Sequence, residues 1–154
     1  MTLDQATIRE VLEDRDGVLY WRKTGEKAGT LHHTGYTQIS LGRKLYNAHR
    51  LMFMLHHGWV PKVIDHVDGN RSNNKIDNLR AATWRQNLHN MKLRPNSKSG
   101  CKNVSWSAGR KKWVVQISIE GRQTNLGRFD DLELADLVAT EARDKYHGAF
   151  ARHL

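Results

Sequence analysis

The sequence predicts an α+β fold built in two parts, on three observations. Residues 63–92 read as strand, long polar loop, strand and helix. Residues 101–154 read as three short strands followed by one helix, a three-stranded antiparallel sheet packed on that helix. Between these patterned regions, residues 93–100 (LRPNSKSG) collect Pro, Ser, Asn and Gly, the composition of a linker. The expected division is a first domain at 1–92, a linker at 93–100 and a second domain at 101–154. A length of 154 residues suits one ordinary domain or two small ones.

The elements follow in order. Residues 2–14 read as a short helix, because Thr2 and Gln5 have capping-box spacing and Ile8, Val11 and Leu12 share a face. Asp16-Gly17 marks a turn before a strand at 18–21. Residues 22–35, with Gly25, Gly29 and Gly35, read as loop. A hairpin is expected from strands at 36–41 and 44–46 around Gly42-Arg43, then a helix at 48–57 stopped by Gly58 and Pro61. Residues 63–66 form a short strand, 68–77 a polar loop and 79–82 a second strand, after which Thr83 can cap a helix to about Lys92. Leu19, Trp21, Ile39, Leu51, Phe53, Leu55 and Leu79 supply the expected core of this first part.

In the second part the strands are expected at 104–106, 113–119 and 124–129, with Gly109 and Gly121 in the turns. Asp130 or Asp131 can cap a helix at 132–146 whose apolar face is Leu134, Ala135, Val138, Ala142 and Tyr146. Trp113, Val115, Ile117 and Ile119 alternate toward one side of the sheet, which needs that helix as cover. Val114, Gln116 and Ser118 fall on the other side, where Ser105, Ser107, Gln123 and Asn125 can join them, rimmed by Arg110, Lys112, Arg122 and Arg128.

Composition excludes several classes. With 38% hydrophobic and 27% charged residues the balance is that of a soluble globular chain. The longest apolar run, Leu51 to Leu55, is far too short to span a membrane. The opening MTLDQATIRE has neither a basic start nor a hydrophobic stretch, so no secretory leader is expected. The single cysteine, Cys101, excludes an intramolecular disulfide and a multi-cysteine zinc site, and a reducing, cytoplasmic setting is expected. Residues 84–128 hold ten Lys/Arg and one acid, Glu120, which equals the whole net charge of +9 and points to a polyanionic partner.

One constellation carries chemistry. Asp65-His66 closes a strand, Asn78 follows His66 by twelve residues, and Asn87 follows Asn78 by nine on a helix. With AHRL at 48–51, IDHVDGN at 64–70, NLR at 78–80 and QN at 86–87, this resembles the HNH (ββα-metal, His-Me finger) endonucleases of phages and mobile introns, over roughly residues 17–92 with the ββα-metal core at 63–92. The residue types suit phosphodiester hydrolysis. A neutral imidazole takes a proton from water near physiological pH, the role for His66. A hard divalent ion takes oxygen ligands, which Asp65 and Asn87 offer as carboxylate and amide. The resemblance implies the same roles around one ion, Mg2+ or another such as Mn2+, with no structural zinc. It also implies that Asn78 bridges the loop and holds His66. Neighbouring strand residues point to opposite faces, so the strand must end or bend for Asp65 and His66 to share a site.

Structural readings stand beside these. Asp-Gly-Asn is an ordinary turn, and Asn78 and Asn87 could each brace a loop or a helix end. Arg80 and Arg85 could contact phosphates or form structural ion pairs. His49 matches the upstream element and reads as structural. His32-His33 and His56-His57 could suggest metal binding but are explained more simply by an exposed loop and a helix C-terminus, and His89, two positions after Asn87, points elsewhere.

Residues 101–150 resemble the apetala/ethylene-response-factor DNA-binding domain, in the form attached to phage nucleases. The resemblance rests on KNVSW (102–106), KWVVQISIEG (112–121), NLGRFDDLELA (125–135) and KYHGAF (145–150). It implies that the open sheet face enters the major groove of DNA. Ser105, Ser107, Gln116, Ser118, Gln123 and Asn125 would then read base edges while Arg110, Lys112 and Arg122 grip phosphate. Several arginines and a tryptophan of the plant pattern are Ser, Gln or Asn here, so its base specificity does not carry over. The expected function is a metal-dependent endonuclease acting on double-stranded DNA, leaving 5′-phosphate and 3′-hydroxyl ends. A monomer is favoured, in the host cytoplasm if phage-encoded. The rivals are a DNA-binding regulator with a vestigial nuclease fold and an RNA nuclease.

Overall fold

The computed structural model describes residues 4–153, which divide into two compact units between Thr83 and Trp84. Small antiparallel sheets and helices make up both, an α+β composition.

In the first unit, helix α1 (Gln5–Val11) is capped by Asp4, whose Oδ1 accepts the Thr7 N–H at 2.8 Å; Thr2 lies outside the described residues. The helix is shorter than expected. Leu12 already begins strand β1 (Leu12–Arg15), which pairs with β2 (Val18–Trp21). The cause is the turn between them: Asp16 and Gly17 both adopt positive φ, 53° and 86°, the geometry of a tight two-residue hairpin. Gly17 has a second reason to lack a side chain, since a Cβ there would meet the backbone nitrogen of Lys75 at 2.6 Å. The stretch expected as loop contains a short strand, β3 (Thr30–Leu31), on the edge of a sheet ordered β3-β4-β5 with β4 at Thr37–Leu41 and β5 at Lys44–Asn47. Two residues of strand give no readable alternation, which is why it escaped the pattern.

Helix α2 (Ala48–His57) buries Ala48, Leu51, Met52 and Leu55, a stripe with helical spacing, and ends where Gly58 turns left-handed at φ 78°. That stripe meets Ile8, Leu12, Leu19, Ile39, Ile64 and Leu79 in the core, with Phe53 buried beside them and Trp21 packed at its margin. Strand β6 (Val63–His66) is buried at all four residues and pairs with β7 (Leu79–Ala82), putting Asp65 opposite Arg80 and His66 opposite Leu79. A 3-10 turn at Ile76–Asn78 closes the loop between them.

In the second unit, helix α3 (Trp84–His89) stops before the expected Lys92. The Lys102 amine donates to the carbonyls of His89 at 2.7 Å and Met91 at 2.6 Å, so the carbonyls at this end are satisfied without further turns. The segment expected as a linker belongs to this unit. Ser99 Oγ lies 2.9 Å from the Cys101 carbonyl and 2.8 Å from that of Val104, tying the segment to strand β8 (Val104–Ser107). With β9 (Lys112–Ile119) at the centre and β10 (Arg122–Phe129) beyond it, the sheet is ordered β10-β9-β8. A bulge falls between Asn125 and Gly127, where the Asn125 Oδ1 accepts the Gly127 N–H at 3.0 Å and Gly127 takes φ 145°.

Helix α4 (Leu132–His147), capped by Asp131, covers Val115 and Ile117. The covered face differs in part from expectation. Of the expected face, Ala135 and Ala142 are buried and Val138 packs against the core, but Leu134 and Tyr146 are exposed, and Ala139 and Arg143 are buried in addition. The alanines stand at i, i+4 and i+7 and let the helix approach the sheet closely, while Leu134 is one position, about 100°, off that line. The Arg143 guanidinium is satisfied internally, donating to the Lys102 carbonyl at 2.6 Å and to Thr140 Oγ1 at 2.8 Å.

Candidate active site

The first unit gathers three of the sequence-marked residues at the end of β6. Asp65 is 3% exposed, and its cross-strand neighbour Arg80 donates to its Oδ2 twice, from Nε at 2.8 Å and Nη2 at 2.7 Å. Of the two roles open to Arg80 in the sequence, this geometry provides the ion pair. His66 is 5% exposed, and its Nε2 lies 3.1 Å from Oδ1 of Asn74. Its ring meets that of His49 edge-on at 5.3 Å, and Tyr36 lies 6.1 Å away. Asp65 and His66 thus meet different neighbours, as strand alternation requires.

Burial is the main force on His66. It holds the imidazole below its ordinary value against the opposing pull of the Asn74 hydrogen bond and of Asp68 and Asp65, while Arg71 adds to the depression. The ring is therefore neutral at physiological pH. His49 is pushed down to about 3 by burial and by the charges of His66 and Arg50, so it stays neutral as well.

Asn78 organises the loop from within. Its Oδ1 accepts the Asp68 N–H at 3.0 Å, and its Nδ2 donates to Asp68 Oδ1 at 2.9 Å and to the Asn73 carbonyl at 2.8 Å. Its own carbonyl accepts the Val67 N–H at 2.9 Å, one residue beyond His66. Asp68 is the other hub. Burial would raise its carboxyl, but hydrogen bonds from Asn73, Asn70 and Asn78 outweigh it and hold the group below the ordinary carboxylate value. A segment with almost no apolar mass is thus fixed by side-chain hydrogen bonds to backbone.

Asn87 stands half-buried on α3, in the second unit. Near it in sequence, the His89 ring stacks on that of His147 at 3.6 Å, the two planes 8° apart. Arg85 lies over the β9–β10 turn: a Cβ on Gly121 would come within 2.9 Å of its guanidinium carbon. Lys102, one of the ten cations of residues 84–128, is half-buried against the α3 carbonyls, and burial together with Arg143 and Arg152 lowers its amine to about 8.

Strand register sorts the remaining candidates. Ser105 faces Val114, Gln116 faces Asn125, Ser118 faces Gln123 and Ser107 faces Lys112, so all these positions share the sheet side opposite α4. Arg128, opposite Val114, joins them, and Arg110 sits exposed in the β8–β9 turn. Lys112 is bound to both oxygens of Asp130 at 2.7 Å. Arg122 departs from expectation: it pairs with Ile119, a position of the helix-covered side, so alternation separates it from the polar face.

Asn74, Asp68 and Tyr36 were not singled out by the sequence. Asn74 sits within RSNNK, where neither spacing nor periodicity distinguishes it from Asn73. His49 was noted only as structural.

This site lies within residues 46–89, which match the family model described as HNH endonuclease, so the chain carries an HNH endonuclease domain there. HNH nucleases generally act with divalent metal ions. The chain belongs to one family with Protein 3.8 of Escherichia phage T7, to which it is 41% identical over 97 residues, 62% of this chain and 79% of that protein. No solved structure matches. The domain match crosses the division between the compact units, since its last residues, 84–89, form α3.

Proposed function

We propose that the protein is a metal-dependent DNA endonuclease in which His66 is the general base. The observation that supports this best is the state of His66: inside the HNH match, nine-tenths buried, held neutral, and hydrogen-bonded through Nε2 to an amide oxygen. An amide oxygen only accepts, so this bond favours the tautomer with the proton on Nε2 and the lone pair on Nδ1. Nδ1 is then the atom that takes a proton from the attacking water.

Asp65 and Asn87 are the residues assigned to the cation. Their donors are a carboxylate and an amide oxygen, the oxygen set that a hard ion such as Mg2+ or Mn2+ prefers. Such an ion supplies charge neutralisation at the phosphate and stabilises the leaving 3′ oxygen. The chain's own residues do the rest. Arg80 orients the Asp65 carboxylate, Asn74 orients His66, and Asn78 with Asp68 keeps the loop beside His66 in shape. Hydrolysis then leaves 5′-phosphate and 3′-hydroxyl ends. Residues 101–150, resembling the apetala/ethylene-response-factor domain, supply DNA binding through the polar sheet face.

Incubation with supercoiled plasmid and Mg2+, followed by end analysis, tests the reading. Cutting that stops in excess chelator and in His66→Ala, with the stated ends, supports it. Tight DNA binding without cutting at any metal concentration favours a regulator built on a vestigial nuclease fold, and cutting confined to RNA favours an RNA nuclease.

A further inference from the structure

The segment after α3 does not merely connect. Residues 91–97 form one wall of a groove of about 430 Å³ whose other wall is the polar side of the β10-β9-β8 sheet. Lys92, Arg94 and Asn96 come from the segment, and Ser105, Gln116 and Gln123 from the sheet. Lys92, Arg94, Asn96, Ser105 and Gln123 are exposed, and Gln116 is half-buried beneath them. No carboxylate lines the groove. Two solvent-facing cations therefore stand above a floor of neutral amides and a hydroxyl, on the sheet side that α4 leaves uncovered.

We propose that this groove holds the backbone of one strand of duplex DNA, with Lys92 and Arg94 on phosphates and the amides of Gln116 and Gln123 facing the base edges beside them. The charge pattern selects this occupant. Cations without acids attract a polyanion, amides offer donors and acceptors together, and phosphate contacts fix the register in which base edges are read. The inference rests on the DNA-binding reading above and extends it: the segment read from the sequence as a linker becomes part of the binding surface.

The test is binding of the full chain to a labelled random-sequence duplex across a salt series, with chelator present to prevent cutting. Each phosphate neutralised contributes about 0.9 to the slope of log affinity against log salt. Lys92→Ala/Arg94→Ala should flatten the slope by about 1 to 2, and Lys92→Arg/Arg94→Lys should restore it. Lys23→Ala/Lys44→Ala removes equal charge from exposed positions of the first unit and should leave the slope unchanged. An unaltered slope in Lys92→Ala/Arg94→Ala overturns the proposal, as does equal flattening in both pairs, which would reflect net charge alone. A wild-type chain that binds no DNA even at low salt would instead remove the DNA-binding reading on which the groove depends.

Discussion

The Nε2 of His66 and the Oδ1 of Asn74 lie 3.1 Å apart inside a loop that buries both residues. Asn74→Ala should lower cleavage by about tenfold to a hundredfold, the usual range for a partner that orients a functional imidazole. Asn74→Asp keeps an acceptor and adds negative charge, which favours protonated His66 and should move the acid limb of the pH–rate profile upward. Wild-type rate and profile in both variants would remove Asn74 from the site.

The depressed value of His66 has its own signature. The neutral base is present above its pKa, so cleavage should persist below pH 6.5 and fall only as pH passes the lowered value. His66→Ala should lose about 10² to 10⁴ in rate and keep DNA affinity close to wild type. A rate halved already above pH 6.5 would contradict the buried, neutral ring.

Burial pushes the His49 imidazole down to about 3 in the folded chain, while in the unfolded chain it keeps its ordinary value of about 6.5, so the unfolded chain binds the extra proton throughout that interval. Stability should be complete above pH 6.5 and fall as pH drops toward about 3, at up to about 1.4 kcal/mol per pH unit from this residue. Denaturant midpoints of wild type and His49→Gln across that window measure it, and equal slopes would refute the assignment.

The first unit was legible wherever periodicity was long. The α2 stripe appears as read, because burial on one face writes itself into spacing, and the short β6 and β7 strands also fall where they are expected. The shortening of α1 follows from Asp16-Gly17: a two-residue hairpin turn needs a strand on both sides, and the one before it takes Leu12–Arg15 from the helix. Asp65 and His66 could be named from their types and spacing. Asn74 could not, because its role depends on how a polar loop folds back, and its neighbours Asn70 and Asn73 look alike in the chain. On α4, Ala135, Val138 and Ala142 pack inward as the spacing predicts, but Leu134 and Tyr146 do not: they are the larger side chains, while close packing on the sheet selects alanine.

The Arg80–Asp65 pair predicts a metal-linked stability. Arg80→Ala leaves the Asp65 carboxylate less compensated, so the variant should be less stable than wild type and gain more in Tm from Mg2+. Asp65→Asn should lose most of the gain. Thermal unfolding with chelator and with saturating Mg2+ checks this; a wild-type Tm indifferent to the ion would sink Asp65 as a ligand.

The Lys102 amine holds the end of the helix that carries Asn87. Lys102→Met should raise the metal concentration giving half-maximal cleavage while sparing the rate at saturation. In Asn87→Ala the same change should add little, because both act through one ligand. Full additivity in that double-mutant cycle would show that Lys102 serves stability alone.

For anyone wishing to graft a different C-terminal module onto this HNH domain, the His89–His147 stack and the Lys102 contacts dictate where the crossover belongs. A chimera joined within 93–100 would keep α3 but discard Lys102 and His147, leaving six residues of helix without their anchor. A joint at Thr83/Trp84 transfers helix and anchor together. Recombination there exchanges a compact unit whole, and with it Asn87, so on the metal role proposed for Asn87 the incoming module must bring an oxygen donor of its own.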